Sequence, residues 1–185
     1  MTTNISGYIS AQFAKHRSKI LVGLITLIVL IMFGKPAGLW KIFLFFTFLV
    51  ITAAISYWLG AMRSPVDASP TFFLMVIFGQ KLGFFYALIF MVLSSTVPFV
   101  LAGGELDGAG ILFSGAFLFL TAISGLFISL GIVKMGLILS ILLVVIGFAI
   151  NRVTPDQGGM FMTITHAGIT AAYFMLLGNI LMQML

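Results

Sequence analysis

The sequence predicts an all-α fold, a polytopic integral membrane bundle of six transmembrane helices plus one short extra apolar segment. Hydrophobic residues make up 62% of the chain and charged residues only 7%, whereas a soluble domain carries about 25% charged residues. Apolar stretches of about 18 residues, the length that a membrane-spanning helix needs, recur along the chain. These observations exclude a water-soluble fold.

Seven apolar segments can be drawn, and two of them are short for a crossing. A helix rises 1.5 Å per residue against a hydrocarbon core of about 30 Å. Segment 71–79 therefore reaches less than half way, and segment 20–34 extends about 22 Å. The five longer segments are predicted crossings: 41–62, 84–102, 111–133, 135–150 and 160–184.

The nine basic residues discriminate between topologies, because Lys and Arg in short loops favour the cytoplasmic side. If all seven segments cross, five basic residues lie inside and four outside. If 71–79 only dips into the membrane, the division is six to three. If 71–79 crosses and 20–34 does not, only Arg63 and Arg152 lie outside, a division of seven to two. Both six-crossing topologies predict a multi-pass protein of the cell membrane with cytoplasmic N- and C-termini.

The chain is predicted to have two parts: residues 1–40, a basic N-terminus with the short apolar segment, and residues 41–185, the six-helix membrane domain. Lys15, Arg17 and Lys19 cluster directly before an apolar run. The positive-inside bias and attraction to anionic lipid headgroups explain that cluster, so nucleic-acid binding is not expected. The segment resembles a signal peptide without a small-x-small cleavage site, and an uncleaved segment is expected.

Rows of small residues at four-residue spacing predict close helix packing. In lipid, such rows let helix backbones approach each other, and packing within the chain is favoured over a dimer interface. The rows are Thr52/Ser56/Gly60, Gly79/Gly83/Ala87, Thr121/Gly125/Ser129 and Ala167/Ala171.

Within the predicted spans, His166 is the one ionisable residue that lies well inside. Helical spacing places Thr163, His166, Thr170 and Tyr173 within about 80° of arc on segment 160–184. Two interpretations remain open: a neutral imidazole that hydrogen-bonds between helices, or a ligand or proton site. In segment 84–102, Pro98 removes a backbone donor, which predicts a local opening of the helix.

The outer loops carry most of the remaining polar chemistry. Glu105 and Asp107 lie in loop 103–110, and Arg152 and Asp156 lie in loop 151–159. Together with His166, these residues are the predicted ligand-binding residues.

Enzyme signatures are lacking. The sequence has no P-loop, no His-Glu-x-x-His motif and no His pair across helices. It also has no Cys, which rules out thiol catalysis and thiolate metal sites. We therefore expect no catalysis, no metal and no cofactor. A third interpretation, a membrane enzyme that uses His166 or the Glu105/Asp107 pair, requires those groups to converge around a cavity.

From about residue 41 onward, the chain resembles the substrate-binding S-components of energy-coupling-factor vitamin transporters and the rod-shape membrane protein D. The resemblance is carried by Asp67-Ala68-Ser69-Pro70 ahead of a short helix, by the Gly-containing link 78–87, and by a Gly-rich acidic loop followed by three further spans. It implies a six-helix fold in which 71–79 is a helix and 20–34 is an N-terminal addition. It also implies a pocket formed by the outer loops 63–70, 103–110 and 151–159, and a partner that docks on small residues of the first helix: Ala53, Ala54 and Gly60.

The leading functional hypothesis is a membrane-embedded, small-molecule-binding component of a transport system that works with partner subunits. The alternative is a structural or scaffold subunit of a larger membrane complex. A polar pocket that the outer loops close favours binding, whereas a tightly packed interior with lateral apolar grooves favours a scaffold.

Overall fold

The computed structural model describes residues 37–62, 64, 66–104, 107–154 and 159–185. Segment 20–34 lies outside the described residues. In the described part, the chain forms helices and no strands, and five helices are long and apolar enough to cross a membrane. The predicted fold class, an all-α membrane bundle, is thereby confirmed. The helices are α1 Ala37–Ala61, α2 Thr71–Lys81, α3 Phe84–Leu101, α4 Gly108–Leu130, α5 Ile132–Val153 and α6 Gly159–Met184.

Several helices begin or end a few residues away from the predicted boundaries, and a side-chain cap and glycines with positive φ mark these ends. Helix α4 begins at Gly108 because the Asp107 side chain accepts a hydrogen bond from the Gly110 N–H at 2.7 Å and caps the helix. Gly83 and Gly131, with φ of 106° and 81°, separate α2 from α3 and α4 from α5. Glycine adopts this left-handed region without a Cβ clash, which allows short connections there.

Helix α3 contains a π-helical turn over Val92–Thr96, which ends two residues before Pro98. Proline has no N–H to donate to the carbonyl four residues earlier, and a π turn is a common adjustment where the α-helical ladder is interrupted. The local opening predicted at Pro98 is present in this form.

Side-chain contacts fix the direction of α1 and α3. Phe45, early in α1, packs against Phe90 of α3 with ring centroids 5.8 Å apart. At the other end of α1, a Cβ on Gly60 would lie 3.0 Å from the Cβ of Ala102. Residues 44–61 of α1 therefore run parallel to α3.

Helix α2 runs in the opposite direction, together with α4 and α6. Phe72 stacks on Phe117 of α4, and Gln80 at the far end of α2 donates to Ser124. Phe73 meets Tyr173 and Phe174 of α6.

The closest helix pair is α5 with α6. Glycines lie opposite larger side chains along it: Gly147 faces Thr163, and Gly136 faces Phe174. This order makes the two helices antiparallel. All six described helices therefore alternate in direction, and two ends of the bundle can be named.

One end of the bundle holds the C-terminal ends of α1, α3 and α5 and the starts of α4 and α6, and we call it the Asp107 end. The opposite one is the Lys81 end.

Helix α2 forms the centre of the core. All eight residues from Thr71 to Phe78 are buried. Phe78 contacts Phe45 and Phe90 at ring-centroid distances of 5.1 and 5.0 Å, in the edge and tilted geometries that aromatic pairs prefer. Because α2 is enclosed by other helices, its apolar residues face protein on every side.

Parts of two small-residue rows, at Gly60 and Gly79, pack within the chain, whereas Gly83, Gly125 and Ser129 are exposed. A Cβ on Gly79 would lie 2.9 Å from Thr121 Cγ2 and 3.6 Å from the Cβ of Ala87. Gly60, implied as part of a partner-docking surface, is in contact with α3 instead, while Ala54 is exposed.

The chain divides into two compact units, Met1–Phe43 and Leu44–Leu185. In the first unit, the described residues are the opening turns of α1, where Trp40 stacks on Phe43 with centroids 5.7 Å apart. The contacts described above belong to the second unit. The boundary predicted at residues 40 and 41 stays a prediction.

Candidate functional site

The connection before α2 enters the interior of the bundle. Helix α2 has 11 residues and spans about 16 Å, roughly half of a bilayer core. Helices α1 and α3, which α2 links, both run antiparallel to α2, so the connection between them must pass from one end of the bundle to the other. Segment 66–70 covers the part of this path that α2 does not. Non-helical backbone at membrane depth is tolerated only where protein groups satisfy its polar atoms.

Helix α6 supplies two of those groups. The Nδ1 atom of His166 lies 3.0 Å from the backbone oxygen of Asp67, and the Tyr173 hydroxyl donates to the backbone oxygen of Ala68 at 2.9 Å. A carbonyl oxygen only accepts, so the His166 hydrogen in this contact is on Nδ1. We call this pair of contacts the α6 clamp. It holds the segment before α2 against α6.

The His166 ring is fixed on both sides. It is 6% exposed and stacks on Phe117 of α4 with centroids 5.3 Å apart. Its Nδ1 also lies 3.4 Å from the Asp67 carboxylate oxygen Oδ2. Its Nε2 is buried and has no hydrogen-bond partner among the described residues. The imidazole therefore connects α4, α6 and the segment before α2.

Asp67 and Ser69 shape the turn that opens α2. The Ser69 N–H donates to Asp67 Oδ1 at 2.9 Å, and the Ser69 and Thr71 hydroxyls are 3.1 Å apart. This is an Asx turn, in which a side-chain carboxylate replaces a backbone acceptor. Asp67 keeps an accessible side, since its side chain is 42% exposed.

A second polar feature lies on the outer face of α5 at the Asp107 end. There an open groove of about 580 Å³ runs along the last turns of α5 towards the start of α6. Arg152 is exposed and makes no ion pair with any described residue. We call this depression the Arg152 groove; its lining residues are Val145, Phe148, Ala149, Asn151, Arg152 and Met160.

Asn151 ties the groove to the helix behind it. Its amide Nδ2 donates to Thr163 Oγ1 at 3.4 Å, and the Thr163 hydroxyl donates to the Gly159 carbonyl at 2.8 Å. The absence of a side chain at Gly159 leaves the room that the Asn151 amide occupies. The first turn of α6 and the last turn of α5 are thus joined by polar contacts.

The predicted site residues do not form one cluster in the described part of the chain. Asp107 is an exposed helix cap, Arg152 lies on the outer groove, and His166 is in the interior. No hydrogen bond or ion pair joins these three residues. Glu105 and Asp156 lie outside the described residues.

Sequence reasoning missed the partners of these residues. It placed His166 and Tyr173 on one polar face, but it did not connect them with the backbone of Asp67 and Ala68. Nor did it include Asn151 in the site. The contacts of His166 and Tyr173 with this backbone had one signal in the sequence: an Asp-x-Ser-Pro turn ahead of a helix that is too short to cross a bilayer alone.

A lateral groove of about 290 Å³ follows the α5–α6 pair in the middle of both helices. Its lining is apolar and includes several small side chains. The lining residues are Leu137, Ser140, Ile141, Val144, Ile164, Ala167, Gly168 and Ala171.

Within the described ranges, no group of three or more His, Asp or Glu side chains is arranged to hold a metal ion.

No family model, curated protein or solved structure matches this chain.

Proposed function

We propose that this chain is a membrane-embedded component of a transport system that binds a small molecule in the Arg152 groove and works with partner subunits. The observation that carries the proposal is a guanidinium, with no ion-pair partner among the described residues, on the wall of an open groove of about 580 Å³. A guanidinium offers five N–H donors in a planar fork that matches carboxylate and phosphate groups. The ligand is accordingly an anion.

An arginine in the last helical turn also interacts favourably with the partial negative charge at a helix C-terminus. That role needs neither a groove nor a fixed amide beside the guanidinium. Here Asn151 is held by Thr163, and Ala149 leaves a depression next to Arg152. A preformed depression beside a charge favours binding over a purely helix-stabilising role.

The positive-inside bias supports a position of this groove outside the cytoplasm. Lys81 closes α2 and Lys134 lies in the first turn of α5, both at the Lys81 end. Lys and Arg in short loops favour the cytoplasm, so the Lys81 end is assigned to that side. The groove then faces the opposite side of the membrane.

Partner subunits supply the energy for transport in this proposal. The sequence holds no nucleotide-binding motif. Ionisable side chains well inside the described helices are limited to His166 and the neighbouring Tyr173, and both are engaged by the α6 clamp. The chain by itself thus offers no obvious coupling device.

Native mass spectrometry of the protein extracted from its own membrane tests the proposal. We expect a bound small molecule on the unmodified chain, a reduced amount of it on Arg152→Gln, and its retention in Lys134→Gln, a matched change at another helix end. A bound species that both variants retain equally would overturn the proposal, as would the absence of any bound species on the unmodified chain.

A scaffold subunit is the second candidate, and the lateral groove between α5 and α6 favours it. Small side chains such as Ala167 and Gly168 allow a neighbouring helix to approach closely in lipid. A Cβ on Gly168 meets no atom within 4 Å, so the side chain of Gly168→Leu starts in open space and is expected to extend into this groove. If the chain is a scaffold, this variant lowers the mass of the complex on a native gel and leaves any small molecule in the Arg152 groove unaffected.

A further inference from the structure

We infer that the ligand of the Arg152 groove is an anionic phospholipid, with its phosphate on Arg152 and the upper part of an acyl chain along α5. This inference rests on the proposed function and specifies the ligand class. It follows from the wall chemistry, the depth and the lateral opening of the groove.

The wall of the groove is amphiphilic along the helix axis. Val145, Phe148, Ala149 and Arg152 are spaced by three or four residues, which places them on one face of α5. From Val145 to Arg152 the helix rises about 10 Å. A cationic head therefore stands above an apolar strip of about that length.

Arg152 lies at the depth where a headgroup is found. It is in the last turn of α5, a helix that ends at Val153. A guanidinium at the end of a membrane-spanning helix reaches the interface, where lipid phosphates lie. Its apolar neighbours Phe148 and Val145 lie one and two turns deeper, respectively, level with acyl chains.

The groove opens sideways onto the bilayer. Val145 is 59% exposed, Phe148 37% and Met160 51%, so the apolar wall is accessible from the lipid side of the bundle. Ala149, between Val145 and Arg152, has the short side chain that forms the depression. A lipid chain can enter such a site without leaving the membrane.

The charge of the site selects an anionic headgroup over a zwitterionic one. Arg152 is the one charged side chain that lines the groove among the described residues. A zwitterionic lipid brings a cationic group together with its phosphate, which reduces its attraction to a guanidinium. One basic residue near the membrane surface changes the affinity for an anionic lipid about fivefold.

The test is a lipid titration of the full chain in detergent micelles, read by native mass spectrometry. The probes are dioleoylphosphatidylglycerol, dioleoylphosphatidylcholine and inorganic phosphate. We expect one saturable site for the glycerol lipid, weaker binding of the choline lipid, and no competition by millimolar inorganic phosphate. Competition by inorganic phosphate would identify the site as one for a free anion and overturn the lipid assignment.

Two variants with matched controls locate the site. Arg152→Gln should weaken phosphatidylglycerol binding about fivefold, and Ala149→Leu, which fills the depression, should abolish the saturable component. Two control variants, Lys134→Gln and Gly168→Leu, remove a charge and fill a groove elsewhere on the bundle. Neither control should change the affinity for phosphatidylglycerol or its saturable binding. Thermal unfolding of each variant verifies that it is folded. Arg152→Lys keeps the positive charge but loses the planar, forked guanidinium, so it should bind phosphatidylglycerol with intermediate affinity.

The failure of this inference differs from the failure of the proposed function. If the membrane-extracted protein carries an Arg152-dependent small molecule but the added lipids bind all variants alike, the lipid assignment is wrong and the binding function stands. If Arg152→Gln changes neither measurement, both are wrong.

Discussion

His166 and Tyr173 act on backbone atoms rather than on other side chains. Their contacts with the Asp67 and Ala68 carbonyls satisfy two acceptors in a segment that lies among the helices without helical structure. A buried acceptor that loses its donor costs about 1 to 3 kcal/mol. Each residue of the α6 clamp is therefore expected to contribute to stability whatever ligand the chain binds.

Replacement of His166 by Leu should lower the free energy of unfolding by about 1 to 3 kcal/mol, because it leaves the Asp67 carbonyl without a donor. His166→Asn should recover part of the loss, since the Asn amide places an N–H near the position of Nδ1. Unfolding in mixed micelles with increasing dodecyl sulfate measures both. As a control, Thr165→Val affects a hydroxyl bonded within its own helix and should change little. Equal stability of the Leu and Asn variants would contradict a donor role for His166.

Tyr173→Phe isolates one hydrogen bond. The ring keeps its contact with Phe73, whereas the bond to Ala68 is removed, so we expect a loss of about 1 kcal/mol in the same unfolding measurement. Tyr57→Phe, on an exposed tyrosine of α1, should have no measurable effect. Identical effects of the two substitutions would show that the Tyr173 hydroxyl does not hold the segment.

Asp107 is a predicted ligand residue that the structure places at a helix cap. Asp107→Ala should cost about 1 kcal/mol of stability, and Asp107→Asn should cost much less, because Asn also caps helices well. Lipid binding at the Arg152 groove should be unchanged in both variants. An Asp107→Ala protein of normal stability that has lost its ligand would instead support the original prediction for this residue.

At the scale of elements, the α5–α6 pair depends on glycine. A Cβ on Gly136 would collide with the ring of Phe174, and one on Gly147 would collide with Thr163. These contacts are between packed side chains that have little room to move, so a methyl group there is expected to separate the helices.

Gly136→Ala should accordingly destabilise the protein by about 1 to 3 kcal/mol, the usual cost of overpacking. Gly168→Ala is the matched change on a helix position with open space, and it should be neutral or stabilising by up to about 1 kcal/mol, because Ala favours a helix more than Gly does. Unfolding in dodecyl sulfate again measures both. A neutral Gly136→Ala would show that the two helices are not in this close contact.

The helices were predictable because each long apolar run carries its own signal. Predicted segment 160–184 and observed helix Gly159–Met184 differ by one residue at the start, whereas α4 starts three residues before the predicted 111. The cap at Asp107 explains that earlier start. Hydropathy does not register such a polar contact.

The contacts of the candidate site were not predictable in the same way. His166 and the Asp67 carbonyl are 99 residues apart in sequence, and helical periodicity gives the face of a side chain without its partner. The Arg152 groove depends on Ala149 being small and on Asn151 being held by Thr163, which no local pattern reveals. The resemblance to S-components implied a pocket among the outer loops, and that pocket stays a prediction.

At the scale of the whole molecule, α2 determines how the chain passes through the bundle. This helix has 11 residues, yet the alternating directions of its neighbours require the connection from α1 to α3 to pass from one end of the bundle to the other. The segment before α2, held by the α6 clamp, covers the remaining distance. The same alternation puts the Arg152 groove and Lys81 at opposite ends of the bundle.

The most direct measurement is cysteine labelling on either side of α2 in this Cys-free chain. Met62→Cys and Phe84→Cys replace exposed residues just after α1 and at the start of α3. In intact cells, a membrane-impermeant maleimide should label position 62, together with a reference cysteine at Ala109, and should reach position 84 only after permeabilisation. The reverse pattern would invert the orientation but keep the crossing, whereas labelling of positions 62 and 84 from the same side would contradict the account.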